Sequence, residues 1–279
     1  MAQLERISER IGNVRQIESV IVAMRAMAAA HAQEARRHLR AIRQHEETVA
    51  RALAEAMALV PVGALVPVPH RGPVTHLRIV VGAAQGFSGS YNETIVSGVL
   101  DGAGDDETCR YMLVGQRCIS EFAERGRAPD WSANMVAHAA DVPSLASNLV
   151  DALFARLDSG EVHRVSVVYA DPAMRGGGLT VRPLMPFEFG RFARARSAIV
   201  PETTIEPHRL LARLVEEYVF TEICEALMLG FAAENDARMN AMTRARTNVR
   251  QIAQELQRRF HQARQEETTT EIIELSATT

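Results

Sequence analysis

Met239-Asn-Ala-Met-Thr-Arg-Ala-Arg-Thr-Asn-Val-Arg-Gln-Ile-Ala-Gln-Glu-Leu-Gln-Arg-Arg-Phe-His-Gln-Ala263 holds a stripe with unbroken three–four spacing. Its members are Met239, Met242, Arg246, Val249, Ala253, Leu256, Phe260 and Ala263, and only Arg246 is polar. That spacing gathers the stripe on one face of a helix, as in the seam of a coiled coil. A seam needs a partner, and the other end of the chain offers one. Leu4, Ile7, Ile11 and Val14 follow the same spacing. Ile17, Ile21, Met24 and Ala28 resume it after a three-residue slip, a stammer that locally overwinds a coil. Leu39, Ile42, Val49, Leu53, Ala56 and Val60 continue it, with Glu46 as the polar exception.

Proline marks where these helices stop. The first proline is Pro61 and the last is Pro207, and outside that window the only glycines are Gly12 and Gly230. A helix interior excludes proline and disfavours glycine. The chain therefore divides into an N-terminal coiled-coil helix over 1–60, an α/β domain with linkers over 61–207, and a C-terminal coiled-coil helix over 208–279. At the α-helical rise the first helix would reach roughly 85 Å and the last on the order of 100 Å. Both leave the same central domain, so they should pair antiparallel, with Val60 level with His208. Met24 then faces the neighbourhood of Arg244, and Leu4 faces Arg264. Beyond Gln265 the last helix has no partner in this chain, yet it carries Ile272, Ile273 and Leu275. An unpaired apolar tip calls for an external partner.

The middle alternates strands and helices. Strands are expected at Leu77–Gly82, Arg110–Gly115, Asn134–His138, Val165–Tyr169 and Leu179–Met185. Helices are expected at Tyr91–Leu100, Arg117–Arg125 and Ser144–Leu157. The alternation predicts a sheet of parallel type in a Rossmann-like α/β domain. Pro201 to Pro207 reads as the linker into the last helix.

The 279 residues include 47% apolar and 23% charged side chains with a net charge of −3, so no global attraction to nucleic acid or anionic lipid is implied. Aromatics are 5%, too few for base-stacking platforms. There is no lysine, which removes Schiff-base and P-loop lysine chemistry. Cys109, Cys118 and Cys224 form no Cys-x-x-Cys pair and read as buried or half-buried thiols. No apolar run is long enough to span a bilayer.

The loop Ala83-Ala-Gln-Gly-Phe-Ser-Gly-Ser90 follows a strand and opens a helix, a place where backbone amides can hold phosphate. Gly82, Gly86 and Gly89 do not make a dinucleotide fingerprint, and there is no P-loop signature. A tight structural turn is the expectation. His31, His38 and His45 recur every seven residues, roughly 10 Å apart, too far to share a metal, and read as a solvated stripe. Arg191, Arg194 and Arg196 form a basic cluster suited either to an acidic partner or to solvent. No catalytic, cofactor or metal-ligating set emerges.

Ile7-Ser-Glu-Arg-Ile-Gly-Asn-Val14 and Ile21-Val-Ala-Met-Arg-Ala-Met-Ala-Ala-Ala30 resemble the opening helix of the γ subunit of F-type ATP synthases. Ala237-Arg-Met-Asn-Ala-Met242 and Ala263-Arg-Gln-Glu-Glu-Thr-Thr-Thr-Glu-Ile-Ile-Glu274 resemble its closing helix. The resemblance implies a central rotor shaft without a catalytic site or cofactor of its own. It implies α and β subunits around the coil, and the ε subunit and membrane c-ring against the α/β domain. It places the protein peripherally on the cytoplasmic face of a bacterial inner membrane. By similarity Met24, Arg25, Arg264, Gln265 and Thr269 are candidate rotor–stator contacts. The loop Gly86-Phe87-Ser88-Gly89 matches a family loop that usually reads Gly-Leu-Cys-Gly-Gly. Ser88, Ser90, Glu266 and Glu267 depart from the family pattern and fit a divergent bacterial member of an alternative ATP synthase set. No cysteine pair of the chloroplast regulatory kind is present. Two other readings compete: a coiled-coil scaffold without a rotary role, and a small nucleotide-binding α/β protein with helical arms.

Overall fold

A computed structural model of the chain describes residues 2–61, 74–102, 108–174, 178–192 and 202–277. It opens with helix α1, Ala2–Ala56, and closes with helix α5, Pro207–Ala277, of 55 and 71 residues. Both lie where proline is excluded. Pro207 occupies the first helical position of α5, where its missing N–H costs nothing. Just before it, the Glu206 carboxylate accepts from the amides of His208 and Arg209 at 3.1 and 2.9 Å, capping the orphan donors. Those amides hold the Glu206 carboxyl below its ordinary range.

Between the long helices run β1 (Thr75–Val81), α2 (Tyr91–Asp101), β2 (Thr108–Val114), α3 (Gln116–Glu124), β3 (Trp131–Ala133), α4 (Val142–Asp158), β4 (Arg164–Ala170) and β5 (Leu179–Met185). The sheet order is β3-β2-β1-β4-β5. The first four strands pair in parallel, and β5 returns antiparallel against β4. This is the expected Rossmann-like sheet with one edge strand reversed. Pro183 lies in that edge strand beside a register irregularity at Val165 and Ser166, a position that a residue without an N–H can occupy.

One strand differs from expectation. The third lies at Trp131–Ala133 rather than Asn134–His138. Parallel pairing brings Met112 level with Trp131 and Val114 level with Ala133, and Gly115 N–H then closes the ladder on the Ala133 carbonyl at 2.9 Å. The apolar Met135 and Val136, which suggested a strand, instead pack against the core from beyond the ladder.

Alternate strand residues enter two separate cores. Ile79, Met112 and Val167 face one; Val80, Leu113 and Val168 face the other. Helices α2 and α3 cover the second face through Ile95, Val99, Cys118 and Phe122. The first face is covered by α4 and by stretches of both long helices, including Leu39, Val49 and Leu53 of α1 and Val219, Ile223 and Leu227 of α5. A sheet covered on both sides explains why its strands read as near-continuous apolar runs.

The chain forms two compact units. One joins Met1–Ala29 with Arg238–Thr279; the other is Ala30–Ala237. Within each, α1 and α5 run antiparallel. In the first, the Glu18 carboxylate accepts from Arg250 Nε at 2.7 Å, and Val14 lines a groove with Ile252 and Leu256. In the second, Arg43 meets Glu225 at 2.8 Å and Arg36 meets Asp236 at 2.6 Å. Setting Val60 level with His208 puts Glu18 opposite Arg250 and Arg43 opposite Glu225, as observed, while Arg36 reaches Asp236, about one turn beyond its register position at Ala232. Among the described residues no helix is long and apolar enough to cross a membrane.

Candidate functional site

The five candidate contact residues on the long helices all fall in the unit built from the two chain ends. Met24 and Arg25 are half-buried on α1. Arg264, Gln265 and Thr269 are exposed on α5. The two sets do not meet: Arg264 lies roughly 30 Å along the helix from Arg244, the register partner of Met24. The Thr269 hydroxyl donates to the Gln265 carbonyl at 2.7 Å and Thr268 to Arg264 at 2.9 Å, so these hydroxyls are turned onto their own helix. Beyond them Ile272 and Ile273 are 62% and 60% exposed, the bare apolar tip that the register requires. Ile17, Val20, Met27 and Ile252 add further exposed apolar side chains to this unit. Its charge pairing is peripheral. Arg250 and Arg246 hold the Glu18 carboxyl below its ordinary value from the coil surface.

The loop after β1 belongs to the other unit. Ala83 N–H donates to the Asn92 side chain at 2.9 Å. Ala84 and Gln85 amides donate to the two oxygens of Glu234 at 3.1 and 3.3 Å. Glu234 comes from α5 and is 2% exposed. The loop that could have cradled a phosphate is thus closed on a carboxylate of its own chain. Helix α5 can approach this closely because Gly230 has no side chain: a Cβ there would come within 2.4 Å of Val81 Cγ1. Tyr91 adds a hydrogen bond to the Gly230 carbonyl at 3.1 Å. The loop then turns outward through Phe87 and Gly89, both at positive φ, 64° and 65°. Ser88 is buried, whereas the Phe87 side chain is 69% exposed. The four loop candidates therefore form an anchored turn that presents one aromatic ring.

A third cluster had no counterpart in the sequence reading. Every residue of α5 from 221 to 235 is buried, including Glu222, Glu225 and Glu234. Arg182 of β5 donates from one nitrogen, Nη1, to Glu222 at 2.7 Å and to Glu225 at 2.6 Å. Burial pushes the Glu225 carboxyl up, but bonds from Arg182 and Arg43 outweigh it and leave it below the ordinary range. Burial also pushes Glu46 up, and there the Tyr218 hydroxyl bond at 3.0 Å does not compensate. Two signals were present in the sequence: a glycine inside a long helix, which marks a close approach, and acids within the otherwise apolar run Val219–Ala233. Neither says which distant residues answer them.

Comparison with known proteins decides the family. The family model described as ATP synthase matches residues 3–278. The chain belongs to that family. Among curated members it is 28% identical to the ATP synthase gamma chain of Cyanothece sp. (strain PCC 7425 / ATCC 29141), covering 99% of this chain and 98% of that protein. It is 25% identical to the one from Fuscovulum blasticum, with the same coverage. Its fold is similar to chains in two solved assemblies. One is the Euglena gracilis mitochondrial ATP synthase, OSCP/F1/c-ring, with a TM-score of 0.64, 11% identity, and 99% of this chain and 93% of that chain covered. The other is the Tetrahymena thermophila mitochondrial ATP synthase central stalk and c-ring, with a TM-score of 0.58, 17% identity and coverage of 81% and 99%.

For an ATP synthase family chain, the remaining sequence candidates resolve as follows. The histidine stripe is not uniformly solvated. His31 packs edge-on against His138 at 6.2 Å and beside Phe231 at 6.0 Å, because α5 and the segment after β3 close over that part of α1, whereas His45 bonds Glu217 at 2.8 Å at the surface. His38 and His45 are both exposed, so the stripe is solvated at those two positions and covered at His31. Arg191 lies over Phe192 and Tyr218, while Arg194 and Arg196 fall outside the described residues. Cys118 and Cys224 are buried, and burial pushes both thiols up to about 12, so neither is a nucleophile near neutral pH. Among the described residues no three His, Cys, Asp or Glu side chains converge as metal ligands.

Proposed function

We infer that this chain is the central shaft of an F-type ATP synthase, a non-catalytic subunit that couples turning of a membrane ring to nucleotide chemistry in surrounding subunits. One observation carries the reading: a family match over residues 3–278 on a chain whose terminal helices pair antiparallel and leave apolar side chains bare. In its functional division, residues 1–60 and 208–279 are the two strands of the shaft and 61–207 is the foot. The exposed residues of the coil would bear on α and β subunits, with Met24, Arg25, Arg264, Gln265 and Thr269 as contacts. The foot, with Phe87 on the Gly86–Gly89 turn, would meet the ε subunit and the c-ring side of the assembly. Attachment to the cytoplasmic face of a bacterial inner membrane would be peripheral, through those partners.

The nucleotide-binding alternative loses its main support, because the amides of Ala84 and Gln85 are already taken by Glu234. Reconstitution tests the shaft. Purified α and β subunits with this chain should form an ATPase, and absence of assembly would overturn the reading. In the assembled enzyme, Met24→Lys adds a charge at a half-buried site on a moving surface. Ions pumped per ATP hydrolysed should fall further than the ATPase rate; a normal ratio would remove Met24 from the contact set.

A further inference from the structure

The charge cluster on α5 does not explain itself as a source of stability. Glu222 and Glu225 side chains are 4% and 6% exposed, and Arg182 is 26% exposed. Removing such groups from water is expensive, and replacing a buried ion pair by apolar side chains of similar volume is often neutral or stabilising. What the pairs provide is direction. Apolar burial scarcely distinguishes one rotation of a helix on a sheet from a neighbouring one. Charge-assisted hydrogen bonds depend on distance and angle.

The geometry of Glu225 is specific in this respect. Its Oε2 accepts from Arg182 of β5 at 2.6 Å, and its Oε1 accepts from Arg43 of α1 at 2.8 Å. One carboxylate on α5 therefore ties the sheet to both long helices. Glu222, one turn earlier on α5, doubles the bond to Arg182 at 2.7 Å. The Arg182 guanidinium also lies 5.7 Å from the centre of the buried Tyr169 ring on β4, which limits its swing. A slip of α5 by one residue, ~1.5 Å along its axis and ~100° around it, would break these bonds together.

We propose that Arg182, Glu222, Glu225 and Arg43 form a torsional key that fixes the angle of both shaft helices on the foot sheet, making them positioning residues for energy coupling. The inference rests on the shaft reading given above. In a shaft, any twist applied at the foot must cross the contact between sheet and helices, and this cluster carries ion pairs across it, alongside the Glu234 bonds to the loop after β1.

The test uses the assembled ATP synthase carrying this chain. The apolar triple variant Arg182→Met, Glu222→Leu, Glu225→Leu should fold and assemble, and ATP hydrolysis should continue. Ions moved per ATP, and the torsional stiffness of the rotor measured on single molecules, should each drop about twofold or more. Arg182→Lys alone, with Glu222 and Glu225 in place, should retain most of both, because one nitrogen makes both bonds and an ammonium can donate to two carboxylates. Unchanged coupling and stiffness in the folded triple variant overturn the proposal. If that variant does not assemble, Arg43→Met decides. Arg43 is 58% exposed, so Arg43→Met should leave the chain folded while softening the rotor measurably; undiminished stiffness there overturns the key. If the wild-type chain itself gives no ATPase with α and β, the shaft reading has failed, which is a different outcome.

Discussion

The same two helices live in two environments. Among the described residues of Met1–Ala29 and Arg238–Thr279 the buried apolar ones are Ile21, Ala28 and Met242, and Ile17, Val20, Met27, Ile252, Ile272 and Ile273 are exposed. In Ala30–Ala237, α1 buries Ala32, Ala35, Leu39, Val49 and Leu53 entirely or nearly so, and α5 is buried on every side from 221 to 235. Charges follow the same division. Glu18 bonds Arg250 and Arg246 at the coil surface, whereas Glu225 bonds Arg182 inside. The difference teaches that a coiled-coil stripe specifies only one face of a helix. Whether the other faces are also covered depends on a third layer, here the sheet. Where that layer is missing, apolar side chains stay available to other molecules.

The contrast can be broken by substitution. Leu53→Ala should be the most damaging change, costing ~2–5 kcal/mol of unfolding free energy, because it opens a cavity in a core with no exposure. Chemical denaturation of the isolated chain would measure it, and a loss no larger than that of an exposed site would erase the distinction between the two regions. Gly230→Val comes next, at ~1–3 kcal/mol, since its Cβ would drive into Val81. Its effect should be paired with faster hydrogen exchange at the Ala84 and Gln85 amides as Glu234 is pushed away. Slow exchange at both amides would show that Glu234 does not depend on this close approach.

Glu46 sharpens the comparison by pH. Burial raises its carboxyl above the ordinary value. Such a group favours the folded state fully at pH below its unfolded value and loses that contribution as pH rises through the raised folded value. Glu46→Gln removes the ionised form, so its melting temperature should gain on wild type at about pH 8, and the gain should shrink toward about pH 4. Glu225 has the opposite sign. Arginine bonds lower it against the cost of burial, so its contribution is present at neutral pH and disappears only below the ordinary carboxylate range. The smallest effect belongs to Ile17→Ala, which should change stability by no more than about 0.5 kcal/mol. Its expected consequence is weaker assembly with α and β subunits, read as a higher concentration of chain needed for half-maximal ATPase.

Much of this architecture was legible in sequence because it rests on local rules. Proline cannot enter a helix, so Pro61 and Pro207 bracket the two long ones. Three–four spacing showed which face would pair, and one shared exit level fixed the register that Glu18 and Arg250 display. The bare tip at Ile272 and Ile273 followed from counting outward along that register. What was illegible depends on residues far apart in the chain. Nothing near Ala84 announces that Glu234, 150 positions away, will occupy its amide. Nothing near His31 announces His138. The misplaced third strand has the same cause, because its extent is set by the partner β2 rather than by its own apolar residues. Of the candidate contacts, the Gly86–Gly89 turn was legible as a turn, but its anchoring was not.

The antiparallel pairing also has a consequence in time. A ribosome makes α1 first and the matching stretch of α5 last, with residues 57–206 between them. At bacterial or eukaryotic elongation rates those roughly 150 residues take about 8–30 s to synthesise. Throughout that interval Ile7, Ile11, Ile21 and Leu39 stand without their partner strand. The newborn chain therefore has to keep an amphipathic helix from wrong associations, by chaperone cover or by early capture, well before it has anything to turn against.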